Sequence, residues 1–265
     1  MIYTTQDKQE IYYELAGNAA ASETIVFLNG LTQSVLSWGL VVPFFEKKYR
    51  IVLLDFVFQG RSSKESEWRN FNQHAADVAG LIKKVCGEPV IVVGLSYGSI
   101  AAQHLLVNHP ALIKKAVLMS GIAHKTPYYE AIEKSWWAAL ETGGFSLMLD
   151  VMLPMVLSEQ YFSNPVIPIE QMKQNRKDLS VGSEALFKLM RATKEREDYR
   201  SQLAGIRKPV LVLHGELDRL FPIELGRVVA ESIPSSQFKA IRGAGHTLNL
   251  EKVDEVCSEI LRFLK

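Results

Sequence analysis

Short apolar runs alternate along the chain with longer stretches whose apolar residues recur every three or four positions. Thr24–Leu28, Arg50–Leu54, Val90–Val93, Ala116–Met119 and Val210–Leu213 are continuous runs rich in β-branched residues. Strands without polar alternation are buried on both faces, which predicts a parallel sheet covered by helices. Between the runs, Phe71 to Val85 places Phe71, Ala75, Val78, Ala79 and Ile82 on one helical face. A second helix, Ser99 to Val107, stops at Asn108-His109-Pro110, because proline disfavours helix in the residue before it. The first fifteen residues, from Ile2 to Leu15, read as a β-hairpin joining the sheet edge. Strand-helix alternation of this kind predicts a doubly wound α/β fold.

From about Ile122 to Ala204 the β-runs cease. Trp136, Trp137, Phe145, Leu147, Met148, Leu149, Met152, Met155, Tyr161 and Phe162 come first, followed by a charged segment from Met172 to Arg200. An insertion of roughly 80 residues between two strands is too long for a loop. It reads as a helical cap over the carboxyl ends of the strands, where open α/β sheets bind ligands. The expected division is therefore a core of residues 1–121 and 205–265 and a cap of residues 122–204.

Composition narrows the classes. The 265 residues are 48% apolar and 22% charged, with 30 Lys plus Arg against 29 Asp plus Glu. That balance leaves no electrostatic footprint for nucleic acid or an acidic membrane. Cys86 and Cys257, far apart, make neither a disulfide framework nor a zinc site and read as buried thiols. The start shows no basic segment followed by an apolar one. The most apolar window, Gly143 to Leu157, is broken by Asp150 and Pro154 and falls short of the roughly 18 residues of a membrane span. The expected location is the cytoplasm.

The chemistry concentrates at the ends of predicted strands. Gly94-Leu95-Ser96-Tyr97-Gly98 lies between a strand and a helix, the context in which G-x-S-x-G is a nucleophile elbow. The turn there is tight enough to expose the serine Oγ, and a Cβ at either glycine meets the neighbouring strand or helix. A serine alcohol needs a base to take its proton and an acid to orient that base. Asp218 lies in the loop after Val210–Leu213, and His246 ends the small-residue loop Arg242-Gly243-Ala244-Gly245 after a strand at Gln237 to Ile241. Glu216 competes as the acid, but Asp218 sits farther beyond the strand, as the reach to a histidine requires. The other five histidines fall in helices, at the start of the cap or before the acid, and Asp55 reads as a loop anchor. The oxyanion donors are expected at the backbone N–H groups of Tyr97 and of Leu31, in the loop after Thr24–Leu28. Trp136, Trp137, Met148 and Met152 are candidates for an apolar acyl tunnel, against the plainer reading that they form the cap's own core. No metal and no organic cofactor is implied.

Asn29-Gly30, Asp55-Phe56-Val57-Phe58-Gln59-Gly60-Arg61-Ser62, the Gly94–Gly98 elbow, His214-Gly215-Glu216-Leu217-Asp218 and Gly243-Ala244-Gly245-His246 together resemble the α/β-hydrolase superfamily over essentially the whole chain. Two departures stand out. Asn29 replaces the histidine that many members carry before glycine, and Phe58 replaces the first glycine of Asp-x-x-Gly-x-Gly-x-Ser. With Gly245-His246-Thr247-Leu248-Asn249-Leu250-Glu251, they are similar to a subgroup acting on 3-hydroxyacyl thioesters, the hydroxyalkanoyloxy-alkanoate synthases and 3-hydroxyacyl transacylases. The resemblance implies a serine hydrolase cleaving a small-molecule ester or thioester through an acyl-enzyme. An acyltransferase, a cofactor-free haloperoxidase, a carbon–carbon bond hydrolase and a non-catalytic binding module on the same fold are the alternatives.

Overall fold

The computed structural model describes residues 1–178 and 182–265, so a short part of the expected insertion lies outside the described residues. Its strands are β1 (Ile2–Thr4), β2 (Glu10–Gly17), β3 (Thr24–Leu28), β4 (Arg50–Leu54), β5 (Val90–Leu95), β6 (Ile113–Met119), β7 (Val210–Gly215) and β8 (Ser236–Ile241). They form one sheet in the order β1-β2-β4-β3-β5-β6-β7-β8. The β1–β2 hairpin pairs antiparallel and joins β4 antiparallel, as the sequence predicts for the edge. The other pairings are parallel.

The continuous apolar runs arise because both faces of the sheet are covered. In β3, Val26 and Leu28 enter one hydrophobic cluster while Ile25 and Phe27 enter the other. Helices α1 (Phe71–Val85) and α2 (Tyr97–Asn108) pack on the first face. The opposite face is closed by Trp38 and Phe45 and by the carboxyl-terminal helix, through Val256, Cys257 and Ile260. Helix α1 begins with a reciprocal cap, in which the Asn70 and Gln73 side chains each accept the other's backbone N–H. Both cysteines are buried and free.

From β3 the chain turns outward to β4 and then crosses back to β5 on the other side of β3. The order therefore reverses between β3 and β5, and a crevice opens at their carboxyl ends. Between β6 and β7 run α3 (Pro127–Val156), α4 (Glu159–Ser163), α5 (Ile169–Asp178), α6 (Ser183–Lys194) and α7 (Arg200–Leu203). The carboxyl-terminal part adds α8 (Ile223–Ser232), α9 (Leu248–Glu251) and α10 (Val253–Leu264).

By length and composition alone α3 is apolar enough to cross a membrane, which the broken window at Gly143 to Leu157 did not suggest. Gly144, at φ 65° and ψ −163°, divides it into two helices, and Trp136, Leu140, Met148, Leu149 and Met152 are buried against the rest of the molecule. Arg196 ties the end of the insertion to the sheet side, donating to Ile122 O at 2.9 Å and to Gln103 Oε1 at 3.1 Å.

Candidate active site

Ser96 sits in the turn from β5 to α2 at φ 53° and ψ −111°, backbone angles that an L-residue adopts only under strain. Its N–H bonds Met119 O at 2.8 Å and its carbonyl accepts from Ile100 N–H at 3.0 Å, so strand and helix hold the turn from both sides. The flanking glycines are dictated by closeness. A Cβ on Gly94 would stand 2.4 Å from Gly98 O, and one on Gly98 would stand 2.2 Å from Leu28 O. The second clash shows how tightly α2 starts against the end of β3.

Beside this turn runs the loop after β3, which a buried polar cage holds. Asn29 Nδ2 donates to Leu54 O at 2.7 Å and to Asp55 Oδ1 at 3.2 Å, while Asn29 Oδ1 accepts from Trp38 Nε1–H at 2.8 Å. Asp55 is the loop anchor the sequence suggests: it also accepts from Val35 N–H at 2.8 Å and Arg61 N–H at 3.0 Å. Gln59 reaches across, donating through Nε2 to Gly30 O at 2.8 Å and Leu31 O at 3.1 Å. Phe58, the departure from the glycine pattern noted in the sequence, takes φ 79°, the left-handed region that glycine favours. Its complete burial and the bond from its N–H to Ser63 O at 2.8 Å offset the strain. With the loop so held, the N–H groups of Leu31 and Tyr97 have no intramolecular acceptor among the described residues.

Asp218 and His246 meet across the ends of β7 and β8. Asp218 Oδ1 accepts from Leu220 N–H at 3.0 Å and Phe221 N–H at 2.8 Å, which leaves Oδ2 for His246 Nδ1–H at 2.7 Å. His214 Nε2–H donates to Phe221 O at 2.7 Å and lies 3.4 Å from the same Oδ2. Burial alone would raise the Asp218 carboxyl. The charge of His246 and the hydrogen bonds from both histidines outweigh burial and bring it down to about 2. Glu216 is exposed and accepts from Gly243 N–H at 3.1 Å instead. His246 Nε2 is buried without a partner among the described residues. Its loop is fixed by Thr247 Oγ1–H donating to Val156 O at 2.9 Å and by Glu251, whose carboxylate accepts from Gly245 and Ser158 N–H, both at 3.1 Å.

Ser96, Tyr97, Leu31 and His246 line one cavity of about 50 Å3. Trp136 and Met152 line it as well; Trp137 and Met148 do not. Trp137 packs on Phe187 with its Nε1–H on Glu141 at 3.0 Å, and Met148 is fully buried in the core. A second, mainly apolar cavity of about 280 Å3 adjoins the first and shares Leu31, Thr32, Gln33 and Thr247 with it. Phe145, Ile167, Met172 and Leu186 supply its apolar walls. Gln59, Glu251, Tyr129, Thr193 and Phe221 escape the sequence reading, since each acts through a partner distant in the chain. The Phe221 ring stands edge-on to His246 at 5.1 Å and to Tyr129 at 5.0 Å. Among the described residues no group of three His, Cys, Asp or Glu side chains is placed to hold a metal ion.

The uncharacterised hydrolase YugF of Bacillus subtilis is 27% identical over 98% of this chain and 96% of its own length. A (R)-3-hydroxydecanoyl-ACP:CoA transacylase of Pseudomonas aeruginosa is 24% identical over 91% of this chain and 80% of its own. The structure of MGS-M2, an α/β-hydrolase enzyme from a Medee basin deep-sea metagenome library, superposes with a TM-score of 0.90 at 26% identity, covering all of this chain and 97% of that one. The sequence model of the serine aminopeptidase S33 family matches residues 19–253. With its mostly parallel sheet and covering helices, the chain is an α/β-hydrolase and belongs to the serine aminopeptidase S33 family.

Proposed function

We propose that this hydrolase cleaves a carboxylic ester or thioester through an acyl-enzyme on Ser96. The observation that carries the reading is the His246–Asp218 pair: His246 lines the same cavity as Ser96, and its Nε2 has no partner among the described residues. His246 Nε2 takes the Ser96 proton as Oγ bonds to the substrate carbonyl carbon, and Asp218 stabilises the imidazolium and holds its tautomer. The unpaired Leu31 and Tyr97 N–H groups receive the oxyanion, a contribution of about a hundredfold or more per donor. The tetrahedral intermediate collapses, the carbonyl re-forms, and the alcohol or thiol departs with the proton from His246. Water then repeats the sequence on the acyl-enzyme and releases the acid.

The helices of residues 122–204 act in this reading as a cap that closes the reaction chamber. The larger apolar cavity receives one limb of the substrate. An aminopeptidase needs an anionic group to hold the substrate ammonium, and the described residues lining the two cavities include no carboxylate. That favours esters over amino-terminal peptides. Similarity to the Pseudomonas transacylase supports a second reading, in which an acceptor alcohol or thiol replaces water in the second half-reaction.

The test is intact-mass spectrometry after brief exposure to p-nitrophenyl esters and acyl thioesters of increasing length. Wild type is expected to gain the acyl mass and Ser96→Ala to gain none. An adduct on both proteins, or turnover by Ser96→Ala at the wild-type rate, would remove Ser96 from the mechanism. Product analysis with an added acceptor separates hydrolysis from transfer.

A further inference from the structure

Trp136, on α3, lines the small chamber, and its indole Nε1 is buried with no acceptor among the described residues. An indole nitrogen donates and never accepts, so a buried one without a partner is unfavourable until something supplies an oxygen. No oxygen of the described residues accepts from it, and polar side chains that line the same chamber are engaged with other partners. Thr193 Oγ1 donates to Glu133 Oε1 at 2.6 Å, and Tyr129 OH donates to the same oxygen at 3.3 Å. Thr247 Oγ1–H is turned to Val156 O, and Gln33 Oε1 to Gly30 N–H. The residue that carries this unpaired donor lines a chamber of about 50 Å3 that Ser96 also lines, a space that takes only a few non-hydrogen atoms.

Resting on the ester-cleaving role of Ser96, we infer that Trp136 Nε1–H donates to an oxygen on the substrate limb that fills this chamber. The substrate class is then esters or thioesters whose smaller limb carries an ether, hydroxyl or carbonyl oxygen a few bonds from the scissile carbonyl. Purely alkyl limbs of equal size leave the donor unpaired and are disfavoured by the worth of one hydrogen bond. A site built to hydrogen-bond its substrate discriminates in that way.

Two isosteric substrate pairs test this, each exchanging one CH2 for oxygen. They are p-nitrophenyl methoxyacetate against p-nitrophenyl butyrate, and 2-methoxyethyl octanoate against butyl octanoate. Each kcat/KM is divided by the ester's hydroxide-catalysed rate constant, which removes intrinsic reactivity. Wild type is expected to prefer the ether in at least one pair by about five-fold, the size of one neutral hydrogen bond. Trp136→Phe, which keeps an aromatic ring and loses the donor, is expected to bring that ratio close to one. A preference that persists in Trp136→Phe overturns the inference. If that variant fails to fold, the wild-type ratios decide: a ratio of one in both pairs overturns the inference, and a preference for the ether supports it. Turnover of none of the four esters overturns the ester-cleaving role itself, and with it this inference.

Discussion

Gln59 is the side chain that most directly controls the loop carrying Leu31, and Gln59→Leu tests that control. The residue is fully buried, and leucine is close to it in size without any polar atom. The change removes the donor from Gly30 O and Leu31 O and the acceptor from Phe56 N–H, which Gln59 Oε1 meets at 3.3 Å. Asn29 Nδ2 loses its 3.3 Å contact to Gln59 Oε1 but keeps Leu54 O and Asp55 Oδ1. Gly30 O keeps Gln33 N–H at 3.1 Å, so one buried group, Phe56 N–H, and one half-buried group, Leu31 O, are orphaned, at about 1–3 kcal/mol for a buried group. The extra apolar surface of leucine offsets part of this, leaving a net loss of about 2 kcal/mol. In a chain of this size that lowers Tm by about 5 °C. The catalytic effect should exceed what the stability loss explains. A Leu31 peptide free to rotate no longer aims its N–H at the oxyanion, so kcat falls by about a hundredfold. KM changes little, because that bond is made in the transition state. Steady-state kinetics on a p-nitrophenyl ester, well below the variant's Tm, measures both. A Tm that falls as expected with kcat within threefold of wild type would refute the reasoning and show that the Gly30–Gln33 contact alone holds the loop.

Two further predictions follow from the same geometry. Ser96→Gly removes a side chain from a position at φ 53° and ψ −111°, so calorimetry should show a variant about 1 kcal/mol more stable than wild type, with turnover reduced by at least about 10⁴-fold. A lower Tm would show that the turn stores no strain. The Asp218 carboxyl is lowered from 3.8 to about 2, so its stabilising contribution is fully present above pH 4 and is lost as pH falls through about 2. Urea titrations should therefore show the stability gap between wild type and Asp218→Asn narrowing between pH 4 and pH 2, and a gap independent of pH would contradict the linkage.

Much of this molecule is legible in one dimension because the relevant physics is local. A strand covered on both faces must be apolar at every position, and β3, β5 and β7 declare themselves by that property. The elbow is legible because its two glycines sit within two residues of the serine they make room for. Asp218 and His246 are legible as polar residues just beyond strands whose carboxyl ends face the crevice. The Phe58 departure is visible in the sequence, yet its meaning is not: only the backbone shows phenylalanine in a glycine-like conformation.

The sheet, its loops and the residue types brought to their ends are readable from the chain alone, since each follows from local periodicity and turn chemistry. Which apolar residues face the chamber depends on how the helices pack. Trp136 and Trp137 are adjacent and equally apolar, but one step along a helix rotates a side chain by about 100°, which sends the first into the chamber and the second onto Phe187. Met148 and Met152 lie one turn apart on the segment after the break at Gly144 and so share a face, yet only Met152 lines the cavity, while Met148 is fully buried in the core. Gln59, Asn29 and Trp38 likewise acquire their roles only when loops distant in the chain are packed together. Side-chain phase and long-range contact are properties of the folded packing, and no local pattern of residues encodes them.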